Sequence, residues 1–298
     1  MLTISRHMNG RMIARQIRME RQVDKRSAIM LVEGGTDVKR FKRFVDEAAC
    51  IQVNAWGKEN AVTAMEILKE RSPAGLLAVV DADFDRIQGK LANDARVIYS
   101  ESHDFDLDWM FEDLLAHYLE EVADPNKVAA AGGVAHIIQK ILDGLRPISA
   151  ARLLNTEKKI PFKVSHLDAG DYFDKFAVDI DQYLADLTKD SEISAEEYAA
   201  LGSLIASTAN RNFDLKQLTN GHDFYSALGA SLRGDIGDRK QAQTFGNECE
   251  IHIRLSFTPE IFKQTLLYTN LIAWEQANPR HSVLKPELTP PAADSQAA

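Results

Sequence analysis

Cysteine is scarce: Cys50 and Cys249 are the only two in 298 residues. That excludes a disulfide framework and a cysteine-built zinc site. No apolar run approaches the roughly 18 consecutive residues of a membrane-spanning helix. Residues 1–26 are rich in arginine and lack the apolar stretch of a secretory signal, so a cytoplasmic, membrane-free protein is expected. There is no Gly-x-x-x-x-Gly-Lys-Ser/Thr loop, so the chain is not itself a P-loop ATPase. His-Glu-x-x-His and Gly-x-Ser-x-Gly are missing too. What remains is an ordinary core-forming balance, 45% hydrophobic and 27% charged. The length suffices for one large domain or two ordinary ones.

The sign of the charge is not uniform along the chain. The net charge is −9, yet residues 1–28 carry seven Lys or Arg against Glu20 and Asp24, a local +5 that leaves −14 on the rest. An acidic total argues against broad coating of nucleic acid. It does not exclude phosphate chemistry, which a local basic strip or divalent cations would support. Residues 8–26 predict a helix whose apolar positions are Met8, Met12, Ile13, Ile17 and Met19, with arginines between them. Residues 1–27 thus read as a basic amphipathic segment, either the solvated face of a packing helix or a surface for a partner or RNA.

A compact alternation follows. Ala28–Val32 is an apolar run ending in Glu33-Gly34-Gly35, the pattern of a buried strand entering a turn. Asp37–Ala49 has helical spacing, with Thr36 as N-cap. Cys50–Asn54 predicts a second strand, Lys58–Arg71 a second helix, and Leu76–Val80 a third strand running straight into Asp81. Arg96–Tyr99 predicts a fourth. Strands alternating with helices predict an α/β fold built on a parallel sheet with flanking helices. Beyond residue 122 the pattern turns mainly helical, over Val128–Leu145, Phe173–Leu187, Ala195–Ala206, Phe224–Leu232 and Pro259–Trp274. The predicted organisation is a catalytic domain over 28–122, a helical domain over 123–286 and a disordered tail over 287–298.

The chemistry lies at the strand ends. Glu33 ends the first strand, and Asp81 and Asp83 end the third. In an open parallel sheet ligands gather at that edge, in the crevice where strand order reverses. If strands one and three are neighbours, three carboxylates converge there. Asp at i and i+2 on a strand end point the same way. Crowded carboxylates repel one another, and a hard cation such as Mg²⁺ or Mn²⁺ relieves that. Asp37 and Asp85 are near enough in sequence to supply a second ligand set, as two-metal phosphodiester chemistry uses.

Leu31-Val32-Glu33-Gly34-Gly35-Thr36-Asp37 and Val79-Val80-Asp81-Ala82-Asp83-Phe84-Asp85 resemble the two Toprim motifs of topoisomerases, primases and related nucleases. The fit is closer to Toprim-like nucleases of the PARIS anti-phage effector (AriB) family. Ser102-His103-Asp104-Phe105-Asp106 is similar to that group's His-Asp element, although Asp106 stands where Glu is common, and Asn220-Gly221-His222-Asp223 matches more loosely. The resemblance covers residues 28–115. It implies a Toprim-type sheet and a Mg²⁺-dependent endonuclease acting on nucleic acid, with RNA (transfer RNA among the candidates) as target. It also implies an ABC-type, AriA-like ATPase as keeper and a homodimer when active. It makes Glu33 the acid/base or metal-site glutamate, Asp81 and Asp83 metal ligands, Asp37 and Asp85 auxiliary ligands, and His103 and Asp104 pocket residues. The alternative is a non-catalytic module of the same fold that regulates the ATPase.

Among secondary candidates, Lys39, Arg40, Lys42 and Arg43 form a basic cluster one turn from Glu33, suited to steering phosphate or to solvating a helix. Arg86, Lys90, Arg211 and Lys216 are weaker versions of the same idea. His222-Asp223 reads chiefly as a helix cap after the Asn220-Gly221 turn. Trp109 and Phe111 read as core.

Overall fold

A computed structural model describes residues 8–70, 73–239 and 245–290. In chain order the α-helices and strands of the described residues are α1 (Gly10–Val23), β1 (Ala28–Val32), α2 (Gly35–Phe41), β2 (Cys50–Asn54), α3 (Lys58–Ile67), β3 (Leu76–Val80), α4 (Asp85–Gln88), β4 (Val97–Tyr99), α5 (Phe105–Asp108) and α6 (Glu112–Val122). There follow α7 (Pro125–Ala130), α8 (Val134–Gly144), α9 (Arg146–Thr156), β5 (Phe173–Asp174), β6 (Ala177–Val178), α10 (Ile180–Thr188), α11 (Ala195–Ala209), α12 (Leu215–Leu218), α13 (Gly221–Ser231), α14 (Phe245–Ser256), α15 (Pro259–Phe262) and α16 (Leu266–Ala277). The expected α/β class holds: β1–β4 form one parallel sheet with flanking helices.

The chain divides into two compact units that are not sequential. The first takes the described residues through Asp81, then Ala92–Glu101 and those from Thr258 on; the second takes Ala82–Leu91 and Ser102–Phe257. The composition change near residue 122 therefore does not separate units, since Val122 ends α6 within the second.

In the first unit the sheet order is β2-β1-β3-β4. Every residue of β1 and β3 is buried, because both strands are central and covered on both faces; that is why each reads as an unbroken apolar run. One face packs Ile29, Leu31, Leu76, Ala78 and Val80 against Ile13, Ala14 and Ile17 of α1 and Ala61, Ala64 and Met65 of α3. The apolar stripe of α1 is thus narrower than the spacing predicts, with Met12 and Met19 left exposed, and Asn9 caps the helix by accepting the Met12 N–H. The predicted helix over Asp37–Ala49 stops early. Val45 bridges to Leu284, Asp46 N–H donates to the Val283 carbonyl and Lys285 N–H to the Phe44 carbonyl, so a distant segment takes the backbone groups a longer helix would use. The same closing segment corrects the start of the predicted tail: Leu288 is buried and its carbonyl accepts the Tyr268 hydroxyl. Residues 291–298 lie outside the described ones.

The second unit is mainly helical, with one small antiparallel hairpin, β5–β6. Two predicted helices are interrupted there. Phe173–Leu187 begins as that hairpin, with Lys175 and Phe176 both at positive φ (49° and 57°) in its turn, and Asp179 then caps α10. Val128–Leu145 breaks at Gly132-Gly133, whose φ values of 97° and 85° only glycine adopts without strain. In the first unit Pro259–Trp274 likewise splits, because the Thr265 side chain accepts the Tyr268 N–H and starts α16 afresh.

Candidate functional site

The strand order places the reversal between β1 and β3. The chain steps outward from β1 to β2, returns past β1 to β3, and continues to β4. Glu33 and Asp81 follow directly on the two strands flanking that switch point, where the parallel register pairs Val32 with Val79. Glu33 is pinned from both sides. Its carboxylate Oε1 accepts the Asp81 N–H at 2.8 Å, extending the β1–β3 ladder by one rung. Its carbonyl accepts the Gly57 N–H at 2.8 Å from the β2 side. Both acidic residues are partly exposed, so two carboxylates share a water-accessible sheet edge.

Asp37 is committed nearby. Its Oδ2 accepts the Gly34 N–H at 2.9 Å, fixing the start of α2, and its Oδ1 lies 3.3 Å from the buried Arg40 guanidinium. The N-cap is therefore Gly34 rather than Thr36. Of the basic cluster, Arg40 is spent on this ion pair and Lys42 pairs with Glu47, while Lys39 and Arg43 are exposed.

Two oxygen donors on adjacent strand ends suit a hard cation, since Mg²⁺ commonly takes one or two carboxylates and completes its shell with water and substrate phosphate. Among the described residues no three His, Cys, Asp or Glu come together as a ready-made cage. Thiol chemistry is disfavoured: burial pushes both Cys50 and Cys249 up to about 12, and Cys249 donates to the Tyr118 hydroxyl.

The remaining predicted residues belong to the second unit. Asp83 does not continue the strand. Its φ is +46°, so the alternation that would align it with Asp81 does not apply, and its N–H donates to the His103 carbonyl at 2.7 Å. Asp85 opens α4, its N–H bonded to the Ala82 carbonyl. His103 is buried, packed edge-on against Phe84. Its Nδ1 lies 3.2 Å from the Gln217 carbonyl, an acceptor only, so Nδ1 carries the proton and Nε2 is presented 3.7 Å from Asp83 Oδ1.

Asp104 has a different setting. Oδ1 accepts the Leu107 N–H at 2.9 Å and caps α5, while Oδ2 accepts the Gly221 N–H at 2.6 Å at the start of α13. A Cβ on Gly221 would stand 2.8 Å from that carboxylate and 2.6 Å from Asp106 Cβ, so only glycine allows the approach. Asn220 caps α13 by accepting the Asp223 N–H, which matches the capping reading of that turn. Asp223, fully buried, takes a two-pronged bond from Arg152 at 2.5 and 2.6 Å. Trp109 stacks on Phe257 in the core, as expected.

Sequence reasoning missed Trp56. Trp109 and Trp274 are buried, whereas Trp56 is 47% exposed and its φ is +58°, a left-handed conformation costing on the order of 1–3 kcal/mol for so bulky a side chain. Asn54 two residues earlier and Gly57 just after are the turn-forming signal that could have found it.

A scan against protein-family models finds no match, and neither does a search of curated proteins.

Proposed function

We propose that this chain is a metal-dependent nuclease of the Toprim type, hydrolysing phosphodiester bonds in RNA, with transfer RNA as a candidate target. The observation that carries the reading is the bond from the Asp81 N–H to the Glu33 carboxylate across the β1–β3 switch point, which joins two acidic residues at the edge where an open parallel sheet binds its ligands. Glu33 and Asp81 would hold Mg²⁺ or Mn²⁺, and the bound cation supplies Lewis acidity to the phosphate and lowers the pKa of water. Glu33 is held between β2 and β3 by its own backbone and side chain, so it meets substrate without reorganising. The resemblance brings Asp83 and Asp85 to the same ligand set and His103 to proton transfer. The His103 ring meets the Gln217 carbonyl at Nδ1 and faces the Asp83 carboxylate at Nε2, so a proton held there would lie beside the acidic residues of that unit.

The same resemblance supplies the setting: a toxic anti-phage effector, cytoplasmic and homodimeric when active, restrained by an ABC-type ATPase. The test is cleavage of purified RNA, transfer RNA included, with Mg²⁺ or Mn²⁺ against chelator. Glu33→Ala and Asp81→Ala are expected to lose cleavage while keeping the far-ultraviolet dichroism of the parent. Full metal-dependent activity in both variants would overturn the proposal.

A further inference from the structure

We propose that Trp56 is a stacking platform for an unpaired nucleobase beside the phosphodiester to be cut, so that the site takes single-stranded or looped nucleic acid rather than paired duplex. The inference rests on the nuclease reading for the identity of the neighbouring group, and on separate observations for the tryptophan. The backbone at Trp56 is tied at three points. Its N–H donates to Asn54 Oδ1 at 2.8 Å, its carbonyl accepts from Asn60 Nδ2 at 3.1 Å, and the next N–H, from Gly57, donates to the Glu33 carbonyl at 2.8 Å. These bonds over-determine a left-handed conformation that a tryptophan would not otherwise hold. Constraint of this kind is not serving core packing, because Trp56 is 47% exposed whereas Trp109 and Trp274 are 2% and 6% exposed.

Location completes the argument. Trp56 follows β2 at the C-terminal edge of the sheet, and the residue after it is bonded to Glu33. Glu33 in turn is bonded to Asp81 on its other side. Along the edge the residues thus stand in the order Trp56, Glu33, Asp81. A polynucleotide alternates phosphates with flat bases, and a base splayed from its neighbours stacks on an aromatic ring whatever its identity. Bases inside a duplex are already stacked and offer no face. A half-exposed tryptophan on a fixed backbone beside a phosphate site therefore selects unpaired strands.

The test uses the full chain and the variants Trp56→Phe, Trp56→Leu and Trp56→Ala. Anisotropy with Ca²⁺ in place of Mg²⁺ measures binding of a labelled single-stranded RNA, the same RNA annealed to its complement, and single-stranded DNA of the same sequence. Cleavage with Mg²⁺ then separates KM from kcat. Leucine keeps apolar bulk without a ring, so Trp56→Leu and Trp56→Ala are each expected to weaken single-strand binding about tenfold or more, the scale of stacking one base. KM should rise in parallel while kcat at saturation stays near the parent's, and Trp56→Phe should restore binding to within about threefold. Equal losses on RNA and DNA support recognition of the base itself; a loss on RNA alone supports a base contact reinforced by the 2′-hydroxyl. Should Trp56→Ala fail to fold, the Leu and Phe pair carries the same comparison. Parent-like single-strand affinity and KM in Trp56→Leu, or equal losses on duplex and single strand, would overturn the proposal. Cleavage that depends on Glu33 but not on Trp56 sinks this inference alone. Trp56-dependent binding without cleavage by the parent sinks the nuclease reading and leaves the platform standing.

Discussion

The chain places its acidic residues in two contrasting environments. At the sheet edge of the first unit, Glu33 and Asp81 are partly exposed carboxylates on neighbouring strand ends. In the second unit, Asp104 and Asp223 are buried at helix starts, their oxygens answered by the Leu107 and Gly221 amides in one case and by Arg152 in the other. The second arrangement supplies what a buried carboxylate needs from within the protein, and so it stabilises the fold. The first ties one strand end to the next, Glu33 accepting the Asp81 amide, and leaves both residues partly open to water, where a ligand can reach them. An acidic residue is thus interpretable less by its type than by what completes its charge.

Breaking the contrast at its functional end should give the largest effect. Asp81→Asn keeps the N–H that Glu33 accepts and removes one charge. It is expected to lower RNA cleavage by at least about a thousandfold, the scale for losing a preorganised group that acts on transition-state charge. The melting temperature without divalent metal should hold, since the main-chain bond to Glu33 is kept. A variant that melts lower and cleaves normally would place Asp81 with the structural carboxylates instead.

Next in size is the buried pair. Asp223→Ala strands the Arg152 guanidinium, whose other partners are the Val164 and Leu167 carbonyls, and should cost about 3–5 kcal/mol by urea denaturation. The double change Arg152→Met with Asp223→Leu should recover much of that, because paired removal leaves no uncompensated charge. A smaller loss, about 1–3 kcal/mol, is expected for Asp104→Ala, which undoes caps on α5 and α13 together. If Asp104→Ala instead abolished cleavage with its denaturation midpoint unmoved, its role would be chemical rather than architectural.

How much of this was readable in advance follows from what each signal depends on. β1, β2 and β3 begin and end where the sequence pattern puts them, and the central pair are apolar runs because both their faces are covered. The adjacency of β1 and β3 could be posed only as a condition, since strand order is a tertiary property. Helix ends were less legible. The stop of α2 depends on the pairing of Val45 with Leu284, remote in sequence, which no local pattern contains. Asp83 was misread as a strand residue because a left-handed turn immediately after a strand leaves no mark in alternation. Asp104 was ambiguous for a chemical reason: a His-Asp pair after a strand is equally the signature of a cap and of a pocket. Trp56 was overlooked because tryptophan ordinarily belongs to a core, and its exposure depends on the turn set by Asn54 and Gly57.

The smallest expected effect probes the border between the two kinds of carboxylate. His222 Nδ1 lies 3.8 Å from Glu250 Oε2, beyond hydrogen-bond range but within reach of charge, and the imidazole side chain is 64% exposed. Glu250 raises the His222 pKa above its ordinary 6.5, with burial opposing and Asp223 reinforcing. A raised folded-state value means that the charged imidazolium is favoured by folding. Its stabilisation is therefore fully present below about pH 6.5 and fades as pH climbs through the higher folded-state value. Solvent screening at so exposed a site limits the gain to about 0.5 kcal/mol or less. His222→Gln should accordingly lower the melting temperature slightly near pH 6 and leave it unchanged near pH 8, with the difference shrinking in high salt. A gap that widened toward pH 8 would mean that the neutral ring is what folding favours, and would detach Glu250 from His222.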